Sequence, residues 1–239
     1  MCICTFLCNK MLKKRVDIHL NICLNVHILI EHLINYSYEI VTSEQEVHMI
    51  YQIIAILILA SFYAFYFAKI LIQKKQFIKT NQMGIGNKPK KVLLIERIMT
   101  CATVLTCVTS VCSIFLVKNF PVTEVRVVGI VVGIIGVIFF ALATITMKSS
   151  WRVGIPEEKT TLVTQGIYSW SRNPAFVGFD LLYLSVCLMF FNIPLVLVSI
   201  WAAVMLHLQI LQEENHMHNM FGDEYDAYRK HTLRYFGKR

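Results

Sequence analysis

Residues 176–211 read FVGFDLLYLSVCLMFFNIPLVLVSIWAAVMLHLQIL, and Asp180 is the one acidic or basic side chain among them apart from the histidine at 207. A helix needs about 20 apolar residues to cross the hydrocarbon of a bilayer. The stretch divides into two such segments, Phe176 to Phe191 and Pro194 to Leu211, with only Asn192 and Ile193 between them. That pattern is a tight membrane hairpin. Working toward the N-terminus, three further spans follow the same rule: Arg126 to Met147, Ile98 to Val117 with Glu96 and Arg97 at its mouth, and Ile50 to Ile72. The expected fold is all-α: a polytopic membrane bundle of about five helices. Composition agrees. Of the 239 residues, 56% are hydrophobic and 16% charged, whereas soluble domains carry about 25% charge. The mean hydropathy is +0.58.

The net charge of +8 is unevenly placed. The connection from Gln73 to Lys91 carries Lys74, Lys75, Lys79, Lys88, Lys90 and Lys91 with no acid, so it belongs on the cytoplasmic side. The short loop at Phe120-Pro121 then faces out. Parity returns Lys148 to Pro174 to the cytoplasm, with Lys148, Arg152, Lys159 and Arg172. The tail after Leu211 ends on the same side, with Arg229, Lys230, Arg234, Lys238 and Arg239.

Residues 1–48 differ in character from 49–239. They hold half of the eight cysteines and half of the eight histidines. Val16 to Ile28 alternates apolar and polar, a strand period, and Met49 opens the first span. We expect 1–48 to be an atypical extension, disordered or lying upstream of a start at Met49, and 49–239 to form the membrane domain. The spacing of Cys2, Cys4, Cys8 and Cys23 completes no zinc pattern. Cys101, Cys107, Cys112 and Cys187 sit in apolar segments as small hydrophobes. No metal site is expected.

Polar residues gather at the cytoplasmic ends of the last spans. In GIYSWSRNPAFVG, residues 166–178, Asn173 is placed to cap a helix and Pro174 to occupy its first position. Arg172 beside a helix start favours a carboxylate or phosphate. Pro174 and Gly178 share a face, and Gly178 leaves room for a ligand or another helix. Asp180 is costly in mid-membrane, so it faces a polar cavity or stays near the interface. Glu213 and Glu214 follow the fifth span and, on a continued helix, point about 100° apart. His207 reads as a packed, hydrogen-bonded residue. Gly129, Gly133 and Gly136 allow close helix approach, within the bundle or across a dimer. The tail MFGDEYDAYRKHTLRYFG suits an amphipathic helix on the membrane surface, and membrane spans argue against nucleic acid as partner.

These residues carry a resemblance. GIYSWSRNPAFVG, then Glu213-Glu214, then FGDEYDAYRKHTLRYFG, together with SWRVGI at 150–155, resemble the C-terminal half of the isoprenylcysteine carboxyl methyltransferase and phospholipid methyltransferase superfamily, in its prokaryotic type, over residues 147–236. The resemblance implies an S-adenosylmethionine site at the cytosolic interface and a hydrophobic route for a lipid, prenylated or small lipophilic acceptor. It assigns the cofactor region to Gly166, Tyr168, Arg172, Asn173, Pro174, Phe176, Gly178, Glu213 and Glu214, with Arg172 and Glu214 as the catalytic pair. Arg172 would hold the methionine carboxylate, and Glu213 or Glu214 the amino group or ribose. Tyr168, Phe176 and Trp170 would line the adenine or the substrate mouth. Prenylcysteine enzymes usually carry histidine where this chain has Asn173 and tyrosine where it has Phe176, which weighs against a prenylated protein as acceptor. Two rivals remain: an NADPH-dependent membrane reductase of the sterol type, whose arginine-X-proline stretch is similar, and a structural or transport protein. Transporters place their polar groups at mid-bilayer, unlike this chain.

Overall fold

The computed structural model describes Glu31 and residues 45–118, 120–156 and 160–238. The chain divides into two units, Met1–Ile50 and Tyr51–Arg239. In the first, only Glu31 and residues 45–50 are described, and all are helical. The alternating stretch Val16 to Ile28 lies outside the described residues.

Five long helices and one short one follow: α1 Gln45–Lys75, α2 Lys90–Leu116, α3 Thr123–Met147, α4 Pro174–Met189, α5 Ile193–Phe221 and α6 Asp223–His231. Four of them, α1, α2, α3 and α5, are long and apolar enough to cross a membrane, and α4 is a shorter apolar helix. At 1.5 Å per residue, the 16 residues of α4 span about 24 Å. Among the described residues the only β pairing is two isolated bridges, Asn81 with Val153 and Thr232 with Lys238. The described residues are thus mainly helical, with helices long and apolar enough to reside in a membrane.

Helix ends differ from the hydropathy limits in an informative way. α2 begins at Lys90 rather than Ile98, and α5 continues ten residues past Leu211 to Phe221. Hydropathy marks where the hydrocarbon begins. Helical hydrogen bonding continues into the charged interface, so Glu96 on α2 and Glu213 and Glu214 on α5 are held on rigid helix rather than loop. The hairpin between α4 and α5 is fixed by Asn192. Its Oδ1 accepts from the Leu195 amide at 3.0 Å, and its Nδ2 donates to Ser113 Oγ on α2 at 2.8 Å.

α3 packs along α4, and α2 along α5. The first pairing depends on glycine. A Cβ at Gly136 would come 3.0 Å from the Gly178 carbonyl, and one at Gly178 would come 3.0 Å from both the Gly136 carbonyl and Phe140 Cβ. Gly129 and Gly133 face Ser185, whose hydroxyl donates to the Gly129 carbonyl at 2.7 Å. The glycine face of α3 is therefore filled within the bundle, and the dimer alternative has no free surface there.

Behind this seam sits an aromatic core. Phe62 packs on Phe140 at 4.3 Å between ring centroids and on Phe179 at 4.8 Å. Trp151 of the SWRVGI segment stands edge-on to Tyr66 and Phe140. The same indole is 4% exposed, so the α3–α4 connection is anchored in the core.

Candidate functional site

The α3–α4 connection reaches the site through a 3-10 turn, Gly166–Ser169. Gly166 has φ +63°, and a Cβ there would also press on Thr146 at 3.1 Å. This turn buries Tyr168 and leaves Trp170 59% exposed. Ser171 Oγ then accepts from the Asn173 amide at 3.1 Å, and Pro174 opens α4.

Asn173 does not cap α4 with its side chain, contrary to the sequence expectation. Its Nδ2 donates instead to Glu214 Oε1 at 3.1 Å and to the Arg234 carbonyl at 3.3 Å. A hydrogen bond to a carboxylate is charge-assisted and stronger than a neutral one, so the Nδ2–Glu214 bond, made available by tertiary packing, sets the orientation of the Asn173 side chain.

Glu214 is the hub. Its Oε1 accepts from Arg172 Nη2 at 2.8 Å and Nε at 3.1 Å, and its Oε2 from Arg234 Nη2 at 2.8 Å and Nε at 3.1 Å. Side-chain exposures are 6% for Arg172 and 9% for Glu214, against 35% for Arg234. The Arg172 Nη1 donates to the carbonyls of Thr232 at 2.9 Å and Arg229 at 3.3 Å. Four of the five guanidinium N–H groups are thus engaged by protein. Bonding to Glu214 raises the pKa of Arg234, and burial, followed by the Glu214 charge, pushes the Tyr225 hydroxyl up to about 12. Both groups keep their neutral-pH charge state.

The clamp also closes the C-terminal tail over the turn. The Arg172 amide donates to the Leu233 carbonyl at 3.1 Å, the Gly237 amide to Trp170 at 2.7 Å, and Tyr228 Oη to the Tyr168 carbonyl at 2.6 Å. The expected amphipathic surface helix is realised only as the nine residues of α6. Beyond it the chain folds back onto the site.

Glu213 points elsewhere. Its Oε1 accepts from Gln209 Nε2, one turn earlier, at 3.0 Å, and it lines a cavity of about 510 Å³. The polar end of this cavity is formed by Tyr168, Arg172, Asn173, Glu213, Glu214 and His216. Its apolar lining includes Tyr66, Phe67, Val104, Val108, Phe140 and Phe179. Phe67, Val104 and Val108 are exposed on the outer faces of α1 and α2, so the apolar wall is continuous with the surface that meets lipid.

Of the residues singled out from sequence, Tyr168, Arg172, Asn173, Phe176, Glu213 and Glu214 line this cavity. Gly166, Pro174, Gly178 and Trp170 do not. Gly166 shapes the turn and Gly178 the α3–α4 seam; Pro174 starts α4, and Trp170 is turned outward. Asp180 is also off the cavity, with a buried Oδ1 lacking a hydrogen-bond partner. His207 pairs with the Tyr235 hydroxyl through Nδ1 and stacks on its ring, as a packed histidine does. Sequence reasoning missed Arg234, whose only signal was membership of a basic tail, and Tyr225 and Tyr228, which read as surface aromatics.

Residues 125–224 match the family model for phospholipid methyltransferase. Over 114 residues the chain is 31% identical to the protein-S-isoprenylcysteine O-methyltransferase of Xenopus laevis, covering 46% of this chain and 39% of that protein. The chain thus spans well under half the length of this curated relative. A solved structure of the eukaryotic intramembrane Ras methyltransferase, isoprenylcysteine carboxyl methyltransferase, gives a TM-score of 0.45 at 18% identity, covering 65% of this chain and 56% of that one. The likeness to these methyltransferases thus lies over less than half of this chain.

Proposed function

We propose that this protein is an integral-membrane methyltransferase that uses S-adenosylmethionine to methylate a lipophilic acceptor, an isoprenylcysteine carboxyl or a phospholipid-type or small lipophilic group. One observation carries the reading: a single cavity has a carboxylate- and arginine-bearing end and an apolar wall leading out to lipid-facing helices. A charged donor and a greasy acceptor need such a shared chamber.

The residues present suit the donor. Glu213 is the cavity carboxylate not bound by an arginine, so it takes the amino group or the ribose hydroxyls. Arg172 offers its remaining N–H to the donor carboxylate while Glu214 and Arg234 hold it in place. Tyr168, Phe176 and Tyr228 present aromatic walls of the kind that attract a cation. When bound, S-adenosylmethionine supplies an already electrophilic methyl group. The protein therefore needs no side-chain nucleophile. Its residues orient the acceptor and exclude water, and such alignment is worth about 7–11 kcal/mol.

The lysine-rich α1–α2 connection, the α3–α4 connection and the tail lie at one end of the second unit, as the Gln82–Val153 and Arg172–Leu233 backbone bonds require. By the positive-inside rule this end, with the cavity mouth, faces the cytoplasm. The comparisons support methyl transfer and lend nothing to the reductase alternative.

Purified protein in detergent provides the test. S-adenosylhomocysteine should raise its melting temperature and NADPH should leave it unchanged, and labelled methyl should pass from S-adenosylmethionine into a lipid extract. Stabilisation by NADPH alone would reverse the assignment.

A further inference from the structure

Glu96 stands on α2, within a candidate membrane span, yet its residue is 0% exposed. Lys88 Nζ lies 2.9 Å from each of its oxygens. Its Oε2 also accepts from the Gly84 amide at 2.7 Å, and its Oε1 from the Ile155 amide at 3.0 Å. Lys88, 5% exposed at its side chain, also donates to the Gln82 carbonyl at 2.5 Å. Burying such a pair gains little stability over an apolar packing, so its presence asks for another reason.

The two amides supply one. They belong to two different loops, and both loops wall the cavity. Asn81 and Met83 come from the α1–α2 connection, and Val153, Gly154 and Ile155 from the SWRVGI segment. The loops are joined directly by Gln82 N to Val153 O at 2.9 Å and Val153 N to Thr80 O at 3.0 Å. At Gly154, with φ +84°, a Cβ would sit 3.0 Å from Glu96 Oε1, so glycine lets the backbone close on the carboxylate. The Glu96 carboxylate accepts from both loops and from Lys88 at once, and α2 itself adds Met99, Thr100 and Thr103 to the wall.

We infer that Glu96, paired with Lys88, is a positioning residue of the methyl-transfer site: it fastens the α1–α2 connection and residues 153–156 to α2 as one preformed wall of the cavity. The inference rests on the methyltransferase reading. It also draws the N-terminal part of the second unit, outside the matched residues 125–224, into that site.

The test uses the full chain in detergent, with S-adenosylhomocysteine as probe and hydrogen exchange as a ligand-free readout. In Glu96→Gln and Lys88→Met, exchange should rise at residues 80–88 and 153–156 but not at 223–238. Probe affinity should fall about tenfold to a hundredfold, a loss of about 1.4–2.7 kcal/mol in binding. The KM for the donor should rise more than kcat falls. Lys88→Arg should restore wild-type affinity. Should Glu96→Gln fail to fold, the Lys88→Met and Lys88→Arg pair decides alone, and equal behaviour of those two overturns the inference. Unchanged affinity or exchange in Glu96→Gln overturns it as well while leaving the methyltransferase reading intact. Absence of probe binding to the wild-type protein removes both.

Discussion

Arg172 and Glu214 neutralise each other where little solvent reaches them, and this sets what substitution does. Removing one partner of a buried pair leaves an uncompensated charge and costs about 3–5 kcal/mol. Arg172→Ala leaves Glu214 paired with Arg234 and Asn173, so the loss in denaturation measurements should fall short of that, at about 1–3 kcal/mol, while S-adenosylhomocysteine binding is lost. Arg234→Ala acts at a third-exposed side chain, so about 1 kcal/mol or less is expected. Glu213→Gln separates binding from folding. Its carboxylate makes one side-chain hydrogen bond, to Gln209, which an amide oxygen can keep, so the melting temperature should hold while probe affinity drops about tenfold. A drop in both would place Glu213 in the framework instead. Neighbouring glutamates thus serve different ends because consecutive helical residues point about 100° apart: both line the cavity, but Glu214 is held by the two arginines and Glu213 by Gln209 alone.

The α3–α4 seam works at the scale of the element. Two glycines let backbone meet backbone where any Cβ would come within 3.0 Å of a carbonyl on the facing helix. Gly178→Ala must push the helices apart, and overpacking of this kind costs about 1–3 kcal/mol, readable as a lower melting temperature with probe affinity reduced only secondarily. A larger loss of affinity than of stability would return Gly178 to the cavity. Hydropathy revealed which segments are helices because apolar length is a local property. It did not reveal that α2 and α5 continue into the interface, since charged turns look like loop to any hydropathy window. Those turns carry Glu96, Glu213 and Glu214.

Across the whole second unit, all the cytoplasm-assigned connections close one end of the bundle. Two outcomes follow. Ending the chain at His231 removes the Arg234 contact and the bonds from Leu233 and Gly237; such a protein should insert into membranes but show no stabilisation by S-adenosylhomocysteine. In a cysteine-free background, Lys75→Cys and Lys230→Cys should both react with an impermeant maleimide from the cytoplasmic face alone. Labelling from opposite faces would break the proposed sidedness. The sequence by itself determined the membrane helices and their hairpin, and it brought Arg172 and the glutamate pair forward as a joint site. The helices and hairpin follow from hydrophobic length; the joint site follows from that hairpin, which returns the chain to the side it left, and from the resemblance carried by two motifs 42 residues apart. Only the tertiary structure decided that Asn173 serves Glu214 rather than a helix end, that Gly178 meets a helix rather than a ligand, that Arg234 braces Glu214, and that Glu96 ties two cavity-lining loops to α2. Each of those depends on which distant segment supplies the partner, and a hydrogen bond or a close backbone approach has no signature in one strand of sequence until packing brings its other half.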